Sequence, residues 1–222
     1  MNQTAVAAIV AAYNEEQTIG PIVKTLAESK LFRDVIVISD GSTDRTAEIA
    51  RENGADLVHQ LPWKHGKGAA MMHGVSHTDA PIIFFLDADL KGLTKDHLER
   101  ILRPVLKGEK AMVVGIRDRG KLGMWLAAHL PLIGGERALQ RHIFEDIPDK
   151  FLQGFMVESA MNYYCRSHKL PYGTVELPGL HIRRKMQKVG ILKGLKEYIN
   201  MGWQILKAMA IVRLARLRGE FR

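Results

Sequence analysis

Cysteine is almost absent: Cys165 is the single thiol in 222 residues. One thiol excludes an internal disulfide framework and any zinc site built from cysteines. It also fits a reducing compartment. A second absence is any uninterrupted apolar run of about 18 residues, so no membrane-spanning helix is expected. No basic cluster precedes the apolar run at 5–12, which reads as a buried strand rather than the core of a signal peptide. Internal repeats and low-complexity segments are missing too. These absences place the expected protein in the cytoplasm, and its ordinary apolar content, 46%, is that of a globular chain.

The length suits one domain with a C-terminal appendage, taken here as 1–189 and 190–222. The net charge of +8 is unevenly spread. Residues 182–222 hold eleven Lys or Arg against two Glu, whereas the remainder is close to neutral. An apolar, basic stretch of this kind suits an anionic membrane surface, here the inner face of the membrane, or nucleic acid. Two other uses of the tail stay open: packing on the domain with a solvated basic face, or forming a homodimer interface.

Upstream, strands and helices alternate. Strands are expected at 5–12, 34–39, 55–59, 81–86 and 111–115, with helices at 16–29, 44–52, 66–76 and 94–106 between them. This order predicts an α/β fold with a mostly parallel sheet covered on both faces. Such sheets bind ligands beyond the carboxyl ends of their strands. Three polar motifs fall at three strand ends: Tyr13-Asn14-Glu15, Asp40-Gly41-Ser42 and Asp87-Ala88-Asp89. Carboxylates there suit Mg²⁺ or Mn²⁺, which bridge acids to phosphate oxygens. The plainer reading of Asp87 or Asp89 is a cap on the next helix. From about residue 117 the alternation fails: 122–132 is mixed, 134–143 reads as a turn into a helix, 157–168 as a helix, 174–177 as a strand, and 190–217 as one long helix or two.

The ordered set Tyr13-Asn14-Glu15-Glu16, Ser39-Asp40-Gly41-Ser42-Thr43-Asp44, Gly66-Lys67-Gly68 and Asp87-Ala88-Asp89 resembles family 2 glycosyltransferases and their GT-A relatives over residues 5–117. Downstream, Gly134-Gly135-Glu136-Arg137, Gly154-Phe155-Met156-Val157-Glu158 and Gly179-Leu180-His181-Ile182-Arg183 are similar to glucosyl-3-phosphoglycerate synthases and polyprenyl-phosphate sugar transferases. The resemblance implies a GT-A (Rossmann-like) mixed sheet with a C-terminal helical extension. It also implies metal-dependent sugar transfer from a UDP- or GDP-linked donor to a phosphorylated acceptor, either a small acid or a polyprenyl phosphate. By similarity, Asp89 is the main metal ligand, Asp87 binds ribose or metal, and His181 completes the metal site. Asp40 would accept a hydrogen bond from the base, Tyr13, Asn14 and Glu15 would line the nucleotide pocket, and Lys67 and Arg183 would meet phosphate. Glu158 would position acceptor or sugar or act as a base; helix-dipole stabilisation is its plainer role. Ser42 and Asp44 are expected to hold their loop and cap the following helix. Ser39 stands where the family commonly has Asp.

Two rival readings follow from the same residues. A sugar-phosphate nucleotidylyltransferase would carry a Gly-rich basic loop after the first strand, where this chain has Tyr13-Asn14-Glu15-Glu16. A nucleic-acid-binding protein would use the basic tail but would leave Asp87 and Asp89 without a role, so nucleic acid is not expected as a partner.

Overall fold

A computed structural model describes residues 6–117, 134–152 and 156–182. The predicted tail helix at 190–217, the mixed segment at 122–132, and Arg183 lie outside the described residues.

The first half alternates as the sequence predicts: β1 (Val6–Ala12), α1 (Ile19–Ser29), β2 (Asp34–Ser39), α2 (Thr46–Glu52), β3 (Leu57–Gln60), α3 (Lys67–Val75) and β4 (Ile82–Asp87). A two-residue strand, β5 (Leu90–Lys91), and α4 (Lys95–Leu106) lead to β6 (Met112–Arg117). The second half holds β7 (Arg137–Gln140), α5 (Arg141–Glu145), a 3-10 turn at Asp149–Phe151, α6 (Met156–Ser167), β8 (Tyr172–Leu177) and β9 (His181–Ile182).

Seven strands form one sheet in the order β3-β2-β1-β4-β7-β6-β8. β7 runs antiparallel to both neighbours, and every other pair in that sheet is parallel. The mixed, mostly parallel α/β sheet flanked by helices is the fold class read from the sequence. Side chains alternate strictly between its faces. Ile9, Ile36, Ile38, Ile83 and Phe85 point to one apolar layer, which contains residues of α3, α5 and α6. Ala8, Val10, Val35, Val37, Phe84 and Leu86 point to the other, with α1 and α4. Burial on both faces explains why these strands read as continuous apolar runs.

Two expectations fail, each for a physical reason. The turn at 134–136 does not lead straight into a helix: Arg137–Gln140 is a strand wedged between β4 and β6, and the helix starts only at Arg141. Ala, Leu and Gln favour helix by propensity, but the sheet position overrides that weak preference. The capping alternative for Asp87 and Asp89 also fails. Thr94 caps α4 instead, in a capping box completed by His97. His97 Nε2 lies 2.9 Å from the Pro178 carbonyl. That oxygen can only accept, so the proton sits on Nε2 and Nδ1 accepts from the Thr94 N–H.

Candidate active site

The centre of the sheet brings the three motifs together. In register, Ala11 lies beside Asp87 and Ala12 beside Ser39, so the carboxyl ends of β2, β1 and β4 are neighbours. β1 is flanked by β2 on one side and β4 on the other. The chain thus leaves β1 at the point where the strand order reverses, which is where open α/β sheets form their binding crevice.

Residues 13–16 are laced to the β2–α2 loop. The Asn14 N–H donates to Ser42 Oγ at 3.1 Å, and the Thr43 N–H donates to Asn14 Oδ1 at 2.8 Å. The Glu15 N–H donates to Thr46 Oγ1 at 2.8 Å, and the Glu16 N–H to Asp44 Oδ2 at 3.2 Å. Asp44 Oδ1 also accepts from the Thr46 N–H at 3.0 Å, at the start of α2. Ser42 and Asp44 therefore do what their loop-holding reading says. The buried Ser39 Oγ donates to Ser42 Oγ at 2.8 Å.

Asp40 is buried, and its two oxygens accept from the His65 and Gly66 N–H groups at 2.7 and 2.8 Å. Its visible work is to hold the 61–66 loop against β2. Gly41 makes that approach possible: it sits at φ +69°, and a Cβ there would lie 2.4 Å from the Trp63 carbonyl carbon. The loop brings Lys64 Nζ to 3.8 Å from the Tyr13 ring centroid, a cation–π contact. Tyr13 keeps 40% exposure and Trp63 65%, so two aromatic rings stand open to solvent at this end. Trp63 is a site feature that the sequence reading missed.

At β4 the acids are tied to the second half of the chain. Lys67, the first residue of α3, places Nζ 2.6 Å from Asp87 Oδ1 and 2.7 Å from Glu158 Oε1. Burial alone would lower the Lys67 pKa, but the two carboxylates outweigh it and raise it. Burial likewise would raise the Asp87 pKa, yet Lys67, helped by Arg117 and Arg137, holds the carboxyl below its ordinary range. Glu158 is buried in the first turn of α6, the position that suits helix-dipole stabilisation, and it is also bridged to Lys67. Behind it, fully buried Arg137 donates to the Gly134 carbonyl at 2.6 Å and stands 3.9 Å from Glu158 Oε2.

Glu136 is also fully buried, 3.5 Å from Arg117, and neither carboxylate oxygen has a hydrogen-bond partner among the described residues. Burial, then the charge of Asp87, pushes its pKa up to about 7 against the pull of Arg117. A raised carboxyl pKa means the folded state binds the extra proton. The resulting stability is complete below the ordinary value of 4.5 and is lost as pH rises through about 7. Unfolding free energy should therefore fall by about 2 kcal/mol between pH 5 and pH 8. Denaturant melts should show most of this fall disappearing in Glu136→Gln.

Between Glu136 and the motif lies Gly135, where a Cβ would sit 2.0 Å from Asp87 Oδ2. The backbone itself cradles the Asp87 carboxylate. Asp89 follows in the turn after β4, half-buried. β5 begins next, and its Lys91 pairs with His181 on β9. This ribbon brings exposed His181 to the strand two residues beyond Asp89, although the two are far apart in sequence. Asp87 and Asp89 are hard oxygen donors of the kind that suits Mg²⁺ or Mn²⁺, but among the described residues they are not gathered with His181 into one cluster of ligand atoms. The Asp87 carboxylate packs directly on the Gly135 backbone, in the space that any side chain at 135 would need. No helix among the described residues is long and apolar enough to cross a membrane.

Comparison with known proteins adds three findings. The family described as Glycosyl transferase family 2 matches residues 7–164. The 4,4'-diaponeurosporenoate glycosyltransferase of Staphylococcus aureus is 39% identical over 117 residues, covering 50% of this chain and 31% of its own length. The chain thus spans about a third of that curated relative. Glucosyl-3-phosphoglycerate synthase from Mycobacterium tuberculosis, solved in complex with phosphoglyceric acid, aligns with TM-score 0.69 and 26% identity over 81% of this chain and 72% of its own. The same enzyme in complex with Mg²⁺ and uridine diphosphate gives the same values.

Proposed function

From a chain that belongs to glycosyl transferase family 2, we propose a metal-dependent hexosyltransferase. It moves a sugar from a UDP- or GDP-linked donor to a phosphorylated acceptor, either a small acid or a lipid phosphate. The observation that carries this reading is the meeting of residues 13–15, Asp40 and Asp87–Asp89 at adjacent strand ends, across from buried acids of the second half.

In this reading Tyr13 and the 61–66 loop held by Asp40 take the nucleoside, with Asn14 and Glu15 fixing the pocket wall. Asp89 is the principal metal ligand, assisted by Asp87 and His181. When bound, Mg²⁺ or Mn²⁺ neutralises the diphosphate leaving group. Lys67 holds Asp87 and Glu158 at a fixed separation, and Glu158 positions acceptor or sugar through that bridge. Arg183 supplies a phosphate contact to the acceptor. The mycobacterial relative was solved with a phosphorylated acid, which supports the small-acid branch. The staphylococcal relative is named for 4,4'-diaponeurosporenoate, which brings a carboxylate acceptor into the test.

The test is a transfer assay on the full chain with UDP- and GDP-sugars, Mg²⁺ or Mn²⁺, and three acceptors: 3-phosphoglycerate, a short polyprenyl phosphate and a long-chain carboxylate. Glycosylated product that disappears on chelation is the expected result. Release of pyrophosphate from a nucleoside triphosphate and a sugar phosphate, with no transfer to any acceptor, would overturn it.

A further inference from the structure

Away from the carboxylates, three imidazoles meet between the edge strand and the end of α3. His59 sits on β3, opposite Ile38. His73 lies in the last turn of α3, and His77 follows two residues after its end. His59 Nδ1 is 3.1 Å from His73 Nε2, and His77 Nε2 is 3.2 Å from that same atom. The rings meet edge to face, with centroids 4.3 Å apart for His59 and His73 and 4.8 Å for His73 and His77.

This arrangement is awkward as a hydrogen-bonded cluster. A ring nitrogen carries in its plane either one proton or one lone pair. His73 Nε2 therefore makes one good hydrogen bond, yet two ring nitrogens converge on it. A cation that accepts a lone pair from each ring removes the conflict. With Zn–N bonds of about 2.0–2.1 Å and tetrahedral angles, ligating nitrogens stand about 3.3 Å apart, close to the two observed separations. All three ligand atoms lie within 4.8 Å of one another, and exposed His77 has the freedom to close the remaining gap.

We infer that His59, His73 and His77 form a second metal site, selective for a borderline transition ion such as Zn²⁺ and separate from the carboxylate site at Asp87 and Asp89. The donor sets differ in kind. Imidazole nitrogens suit Zn²⁺, Cu²⁺ or Ni²⁺, whereas carboxylates suit Mg²⁺ or Mn²⁺. Burial, followed by the neighbouring imidazoles, lowers the His73 pKa, which leaves its ring in the neutral, ligating form. The ion would pin β3 to the carboxyl end of α3. The 61–66 loop runs between those two elements, so the bound metal would stiffen the loop that Asp40 holds. That last consequence rests on the proposed function; the binding does not.

The test uses the full chain, stripped with a chelator and free of nucleotide. Zn²⁺ is titrated in competition with a chromogenic chelator, and Co²⁺ is followed by its visible absorption. The expected result is one Zn²⁺ per chain, a higher Tm, and displacement of bound Co²⁺ by one equivalent of Zn²⁺. His77→Ala, at an exposed position, should weaken Zn²⁺ binding at least tenfold without lowering the Tm of the metal-free protein. His59→Asn should weaken it similarly. Asp89→Asn should leave it unchanged. Absence of tight Zn²⁺ binding would overturn the site. So would binding that survives both histidine changes, and binding lost in Asp89→Asn but kept in His77→Ala would assign the zinc to the carboxylates.

Discussion

Asp89→Asn should lower sugar transfer by about a thousandfold, because the metal's contribution at a developing diphosphate is several kcal/mol and each 1.36 kcal/mol is about tenfold in rate. The substitution keeps the size of the side chain and removes the charge that a hard cation needs. The loss should appear in kcat more than in KM for the donor, since the leaving-group charge develops only as the glycosidic bond breaks. Raising Mn²⁺ should recover a part of it, because the proposed site still has His181 and Asp87. Steady-state kinetics at two metal concentrations check the result. Undiminished kcat at saturating metal would remove Asp89 from the metal site.

The second large effect is on stability. Lys67→Met should cost about 3 kcal/mol, the low end for breaking a buried ion pair, because the Lys67 side chain keeps 27% exposure. For a domain of this size that is a Tm drop of roughly 10 °C. The loss arises from Asp87 and Glu158, which would remain in the interior without their shared cation. The sign of the pH dependence separates this cause from a simple packing defect. In the native protein the Asp87 pKa is depressed, so its contribution is present above 3.8 and is lost as pH falls through the folded value. Without the ammonium, desolvation raises the Asp87 pKa, the folded state binds the extra proton, and stability falls as pH rises. Thermal melts should therefore narrow the gap between variant and native protein as pH drops from 7 to 5. A gap that stays constant would mean that the ammonium contributes only volume.

The parts of the site that are legible in the sequence share one property: each is announced by its own neighbours in the chain. Residues 7–10, 35–38 and 83–86 are apolar runs of strand length, and the polar motif that ends each run marks the strand's exit. Glu136 and Arg137 carry no such signal. Their strand is four residues long and composed of Arg, Ala, Leu and Gln, and it becomes a strand only by filling the gap between β4 and β6. The role of Lys67 is half legible. Flanking glycines point to a functional lysine, but its bridge to Glu158 spans 91 positions and exists only in the folded chain. The four-residue spacing of His73 and His77 is visible in the sequence, whereas His59 joins them only in the folded chain, where its Nδ1 meets His73 Nε2.

The reversed strand also governs how the protein comes into being. β4 is made early, and its apolar edge has no partner until Arg137–Gln140 has been made. β6 is made in the meantime and cannot take its place in the sheet until β7 lies between them. Until then the four strands β3-β2-β1-β4 have an open border at β4, and open strand borders recruit other chains. The residues that close this border begin at Arg137, next to Glu136 and the Asp87 cradle. Shelter from aggregation and assembly of the acidic centre therefore arrive in the same moment of synthesis.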